Sequence, residues 1–317
     1  MVGATTKNNM SQCFEQPTCV AATPTVTVWD KLGRRWREYR HLPVRSARRL
    51  RYLVHQRRAG AFSLEFSDGL AISLYPEGVG AERLCIGLDR PSEFQTFTAF
   101  LRPRNHVVDV GANIGVYSLL AAKAVGPQGK VWAFEPSSES YSRLLRNLAL
   151  NSADCVVTKM VALADKVGRG EIRRDPGFRD GDRYLGPLEP LNQAQRGAED
   201  REEVGVTTLD RFAEENAGAR QVDFLKIDVE GAEYFVLQGA RSVLECNEKI
   251  VVMFECQAHH TARMGHSQLD VYRFLQGFGF GLYCWSDRTK CWSGEVPALL
   301  ASKDVWACRD SSMLPDC

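Results

Sequence analysis

The sequence lacks any apolar run of the roughly eighteen residues that would span a bilayer, and its start lacks the basic-then-apolar order of a secretory leader. The expected location is therefore cytoplasmic. None of its ten cysteines forms a CxxC pair, so zinc modules and thioredoxin-like redox chemistry have no spacing support, and without an export signal the thiols are expected to be mostly reduced. Net charge is also scarce, at +1 over 317 residues. The asymmetry is local: residues 31–60 hold eleven Lys or Arg against one acid, Glu38. Apolar residues from Trp29 to Val54 recur among these arginines at three- and four-residue intervals, with Pro43 between two amphipathic helices. Packing on the core or on a second subunit is favoured for this segment over nucleic acid, because no aromatic platform, zinc module or recognition helix accompanies the charge.

What is there, at 44% apolar and 25% charged residues, is the composition of a soluble globular chain long enough for a full α/β core. The rest is organised around Val107 to Val125. Four β-favouring residues, Val107 to Val110, run into Gly111, Asn113 and Gly115, and a helical Ala/Leu-rich segment follows. Strand, glycine turn and helix start together form a cradle for a nucleotide-like or carboxylate-bearing ligand. The turn departs from GxGxxG, which weakens a nicotinamide reading. A second strand, Val131 to Phe134, ends at Glu135, twenty residues after Gly115 and placed to accept both hydroxyls of a ribose.

The remaining chain alternates in the same way. The residues around Ser67-Asp68-Gly69 predict a hairpin, Pro91 to Leu101 a lead-in helix, and Ser137 to Asn151 a helix burying Tyr141, Leu144, Leu145 and Leu148. Val156 to Leu163 reads as a third strand followed by a Gly168/Gly170 turn. Val222 to Ile227 reads as a fourth, ending in Asp228-Val229-Glu230 before a helix through Leu244, and Ile250 to Phe254 as a fifth, ending at Glu255 with His259 and His260 beyond. Lys226 lies inside a strand and calls for an acidic partner. The expected organisation is a mobile tail over 1–28, the basic helical segment over 29–60, hairpin and helix over 61–102, and a catalytic domain over 103–317. Within that domain, 173–204 is an excursion of little periodicity, read as a lid, a dimer contact or a disordered insertion.

VVDVGANIGVYS, AFEPSSESYSRLLRNLALN, VALADKVG, TTLD, FLKIDVEGAEYFVLQGA and MFECQ, in this order, resemble the FkbM family of S-adenosylmethionine-dependent methyltransferases. The resemblance runs from about the Asp68 hairpin through Trp306 and is weak across 173–204. It implies a class I methyltransferase-like Rossmann fold: a seven-stranded, mostly parallel sheet with one antiparallel strand, here with a helical and hairpin extension. It also implies O-methylation of a hydroxyl on a small molecule, sugar or natural-product intermediate. By position it assigns Asp109, Gly111, Asn113 and Gly115 to the cofactor's methionine portion, Glu135 to its ribose and Ala162 to the adenine wall. Asp228, Glu230 and Glu255 then face the transferred methyl, the last two toward substrate.

An alcohol is a poor nucleophile unless its proton is removed, and Asp228, His259 and His260 are the candidate bases, with His259 preferred. Alternatively, Asp228 with Glu230 or Glu255 could hold a divalent cation that acidifies the acceptor. RNA methylation, and an inactive binding or scaffold role, stay open. A homodimer through the N-terminal helices or the 173–204 segment is a further expectation.

Overall fold

The computed structural model describes residues 61–66, 69–75, 91–174, 183–186, 201–302 and 304–315, together with 46, 49–50, 52–54 and 84. The expected tail and most of the basic segment lie outside the described residues, as do 175–182 and 187–200 of the predicted excursion. The chain divides into two units, Met1–Ser46 and Ala47–Cys317, and all elements below belong to the second.

Runs of β-branched and aromatic residues with almost no polar break make strands that must be covered on both faces. Five of them lie parallel in one sheet: β3 (His106–Val110), β4 (Lys130–Phe134), β5 (Val156–Lys159), β10 (Phe224–Ile227) and β11 (Val251–Glu255). Beyond β11 come β14 (Asp304–Cys308), β12 (Gly281–Ser286) and β13 (Cys291–Ser293), each antiparallel to its neighbour. The order is β13-β12-β14-β11-β10-β3-β4-β5. Six strands therefore run one way and two, β13 and β14, the other. The expected seven-stranded sheet is corrected to eight strands. The additional edge strand β13 is held by Trp292, whose ring meets Phe100, Trp285 and Trp306 edge-on at 5.2–5.7 Å.

Alternation along β3 and β10 sends side chains to opposite faces. Val108, Val110, Leu225 and Ile227 point into a core closed by α4 (Leu209–Glu215), α5 (Glu233–Gln238), α6 (Arg241–Cys246) and α8 (Gln268–Gly277). Val107 and Phe224 point to the other side, where α2 (Val116–Val125) and Phe97 of α1 (Pro91–Phe100) cover them. Each fully buried Leu or Phe here contributes about 1.5–3 kcal/mol relative to exposure. Asp109 and Lys226 lie opposite one another on this second face, in register across the β3–β10 pair.

The hairpin β1 (Phe62–Glu65) and β2 (Ala71–Leu74) is present, with Phe62 opposite Leu74. It docks on α3 (Ser138–Leu150) through two asparagines one turn apart. Asn147 Oδ1 accepts from Ser73 N at 2.8 Å and Asn151 Oδ1 from Ala71 N at 2.9 Å, so the two amides pair with the edge of β2 as a strand would. This corrects the predicted stripe of α3. Asn147 is buried beside Leu144 and Leu148, whereas Leu145 is exposed, because the hairpin offers backbone groups that an amide satisfies and a leucine cannot.

Three boundaries also differ. The predicted third strand breaks at Met160–Val161 into β5 and β6 (Ala162–Leu163), and β6 joins a second sheet of order β6-β9-β7-β8. Its partners are β7 (Gly168–Arg174), β8 (Arg183–Leu185) and β9 (Arg201–Thr207). Gly168 and Gly170 are therefore strand residues, not a turn. The excursion of little apolar periodicity is flanked and crossed by strands that bury Ile172, Leu185, Val204 and Val206 and cover their outer face with Arg173–Glu171–Arg201 ion pairs. The helix predicted through Leu244 is two, α5 and α6, broken at Gly239. A Cβ there would lie 2.0 Å from the carbonyl oxygen of Ala164. Among the described residues no helix is long and apolar enough to cross a membrane.

Candidate functional site

The sheet changes winding direction between β3, which leads outward to β4 and β5, and β10, which leads to β11. A crevice opens at the carboxyl ends of strands at such a point. Gly111 leaves β3 with φ +76°, and a Cβ on it would come within 1.8 Å of the Asp228 carbonyl oxygen at the end of β10. Only glycine allows the two strand ends to touch here. Asn113 also takes a left-handed φ, +50°, which turns its N–H onto Glu135 Oε2 at 2.8 Å. Gly115, at φ +94°, precedes the first turn of α2.

Glu135 is buried at the end of β4, and its second oxygen accepts from Ser137 N at 2.9 Å. Burial pushes its pKa up to about 7, against the pull of these two N–H groups and of Lys226. Each carboxylate oxygen keeps a further lone pair, so the group can still accept the two hydroxyls of a ribose. Ala162 is buried with Ala164 and Ala232, with Val229 packed against them.

Lys226 is buried where β10 lies against β3. Its Nζ lies 3.1 Å from Asp109 Oδ1, 3.0 Å from the Gly111 carbonyl and 3.6 Å from Asp228 Oδ2, below the ring of Tyr117. Burial alone would lower its pKa, but Asp109 and Asp228 outweigh that and the net direction is upward. The other oxygen of Asp109 accepts from Ser118 Oγ at 2.6 Å. This knot joins both strand ends to the glycine loop and to α2.

At the far side the chain passes through Glu230, a non-glycine residue at φ +55°, and Gly231 at φ +111°. A Cβ on Gly231 would meet the His260 carbonyl at 2.5 Å, so the loop lies directly against α7 (Ala258–Arg263). Glu230 Oε2 lies 2.9 Å from His260 Nδ1, and Arg263 donates to the Glu230 carbonyl. Glu255 ends β11 buried, accepting from the Gln257 side chain. Glu230, Glu255 and His260 each bring one ligand atom to within 4.8 Å of the others. Asp228 instead faces Lys226. His259 is exposed, its ring centroid 3.9 Å from that of His260. His260, beside the preferred His259, lies against Glu230.

Three participants were missed in the sequence. Glu233 is buried and accepts from Val229 and Gly231 N–H groups, with burial pushing its pKa up to about 7. Tyr117 donates to Glu93 of α1. Arg263 stacks over Tyr184 of β8 at 3.7 Å and so joins the second sheet to the Glu230 turn. The spacing VEGAE could have flagged Glu233 as a carboxylate reaching back to the N–H groups of its own turn.

The family model for the methyltransferase FkbM domain matches residues 109–282, from the acid at the base of the glycine loop to β12. The chain belongs to the FkbM methyltransferase family. This places it among S-adenosylmethionine-dependent methyltransferases, with a mixed α/β Rossmann-like fold. The FkbM match takes in every candidate cofactor and acceptor residue named above and excludes Glu93. Among curated proteins the chain is similar to Methyltransferase sdnD of Sordaria araneosa, 34% identical over 155 residues. That alignment takes in 42% of this chain and 59% of the relative. Methyltransferase 1 of Beauveria bassiana (strain ARSEF 2860) is 31% identical over 144 residues, 42% of this chain and 57% of the relative. The chain thus spans under three-fifths of the length of these two curated relatives. Of solved structures, the methyltransferase FkbM from Methylobacillus flagellatus KT superposes with a TM-score of 0.41 at 16% identity, covering 72% of this chain and 54% of that one.

Proposed function

We propose that this FkbM-family chain methylates a hydroxyl oxygen of a small-molecule acceptor, a sugar or natural-product intermediate. The observation that carries the reading is the sign of the acceptor side. Beyond the glycine loop and Glu135, the strand ends present Asp228, Glu230 and Glu255 beside His260, while the two neighbouring cations are engaged, Lys226 by Asp109, Asp228 and the Gly111 carbonyl and Arg263 by the Glu230 carbonyl and the Tyr184 ring. Such a surface suits a neutral hydroxyl and repels the phosphates of RNA.

S-adenosylmethionine, when bound, supplies a methyl group already activated as a sulfonium. The protein's share is to hold and orient. Glu135 would take the ribose hydroxyls, and the glycine loop with Asp109 the methionine portion, while Ala162 lines the adenine side. Asp228, half-exposed at the mouth, is the base we assign to the acceptor's proton, with His259 as the alternative on α7.

Calorimetric titration with S-adenosylmethionine, S-adenosylhomocysteine and NAD tests the cofactor, with a Glu135→Ala variant beside the wild type. Micromolar binding of the two sulfur compounds alone, lost in the variant, is expected. Hydroxylated acceptors are then screened by mass spectrometry for replacement of a hydrogen by methyl. Failure of both sulfur compounds to bind would overturn the methyltransferase reading for this chain.

A further inference from the structure

We propose that Glu230, Glu255 and His260 form a divalent-cation site at the acceptor end of the crevice; its role in catalysis rests on the hydroxyl-methylation reading above. The three residues come from three separate elements, the turn after β10, the end of β11 and α7, and their ligand atoms lie within 4.8 Å of one another. Metal–ligand bonds of about 2.1 Å put neighbouring ligand atoms about 3 Å apart and opposed ones about 4 Å apart. The 2.9 Å between Glu230 Oε2 and His260 Nδ1 is the separation of two neighbouring ligands, and the wider limit leaves only a small closure around an ion.

Two of the ligands, Glu255 and His260, are each 5% exposed, and each part of the set is held from outside it. Gln257 donates to Glu255, Arg263 fixes the Glu230 carbonyl, and Gly231 seats the turn against His260. Support of this kind orients ligands before an ion arrives. Two carboxylates on one spot carry the charge that a 2+ ion cancels; Lys226, whose Nζ contacts Asp109 and Asp228, attracts Glu255 only through space. One imidazole nitrogen with two carboxylate oxygens suits Mn²⁺ or Zn²⁺ better than Mg²⁺ or Ca²⁺, which prefer oxygen throughout.

Three protein ligands leave coordination positions for the acceptor hydroxyl and so lower its pKa. The hydroxyl proton passes to Asp228, the oxygen's electron pair forms the bond to the methyl carbon, and the carbon–sulfur pair stays with sulfur. The products are the methyl ether, S-adenosylhomocysteine and the proton that Asp228 releases to water.

The full chain, stripped with EDTA and dialysed, is titrated with Mn²⁺ while electron paramagnetic resonance follows the free ion, and Zn²⁺ and Mg²⁺ are added as competitors. One Mn²⁺ per chain is expected at micromolar concentration, displaced by Zn²⁺ more readily than by Mg²⁺. Affinity should fall at least about tenfold in Glu255→Gln and His260→Ala and hold in Glu214→Gln, an exposed carboxylate of α4. S-adenosylhomocysteine titrated into the same samples reports whether each variant is folded; should His260→Ala fail there, Glu255→Gln decides. Absence of stoichiometric Mn²⁺ or Zn²⁺ binding in wild type that still takes S-adenosylhomocysteine overturns the cation site and leaves the methyltransferase reading standing. Ion binding undiminished in a folded Glu255→Gln variant also overturns it. Ion binding without cofactor binding upholds the site and removes the methylation reading.

Discussion

At the scale of single residues, Lys226 decides how much charge the crevice can hold. It stands directly opposite Asp109 across β3 and β10, and both are almost wholly buried. Removing one partner of such a pair leaves the other desolvated and uncompensated, at a cost of about 3–5 kcal/mol. Lys226→Met, which keeps the stem and deletes the charge, should therefore lose about that much stability in urea unfolding. A double variant, Lys226→Met with Asp109→Asn, should recover part of the loss, because the stranded charge goes too. If the single and double variants are equally unstable, the ion pair is not what the lysine contributes. This residue was legible in the sequence as a lysine inside a strand that needed an acid; its partner was not, since strand register fixes that choice. The same limit applies to His259 and His260. Adjacent helical residues point about 100° apart, and which of them turns inward depends on where α7 docks.

At the scale of elements, the strands and the helix after the glycine loop were readable because their apolar runs are long and their boundaries carry glycine, proline or acids at strand ends. The second sheet was not, because β7 and β9 cover one face with arginine and glutamate and bury only Ile172, Val204 and Val206 on the other. Nor was the role of α3 in tying the hairpin to the glycine loop. Asn147 Nδ2 donates to the Ile114 carbonyl at 2.8 Å while its Oδ1 accepts from Ser73, so one side chain bridges β2 and the glycine loop. Asn147→Leu leaves these two buried groups without that partner, and with about 1–3 kcal/mol for each the loss should reach roughly 2–6 kcal/mol. It should also weaken S-adenosylhomocysteine binding, because Ile114 lies within the loop. Asn151→Ala removes contacts with Ala71 and the Asn147 carbonyl only. It should lower the thermal midpoint and leave cofactor affinity intact, and equal affinity losses in the two variants would refute this division.

For the molecule as a whole, the ribose role proposed for Glu135 sets stability and cofactor binding against each other. Its ordinary value of 4.5 is pushed up to about 7 by burial, so between those values the folded chain holds a proton that the unfolded chain has released. Stability then falls as pH rises through this window, by about 3 kcal/mol when complete. Below the lower value both states are protonated and the term vanishes. The bound cofactor acts with the opposite sign. In the proposed complex, ribose hydroxyls donate to the carboxylate, which favours its ionised form, so affinity should rise with pH up to about 7 and weaken toward about tenfold per unit below it. Unfolding curves for wild type and Glu135→Gln at intervals from roughly pH 5 to 8, each with and without S-adenosylhomocysteine, separate the two effects. The stability of wild type relative to Glu135→Gln should decline by about 3 kcal/mol across that range without ligand. The stabilisation that the ligand adds should grow over the same interval in wild type and stay small and flat in the variant. Parallel curves for the two proteins would show that Glu135 titrates at its ordinary value, and the cost of a buried, ionised ribose acid would then have to be carried by another group.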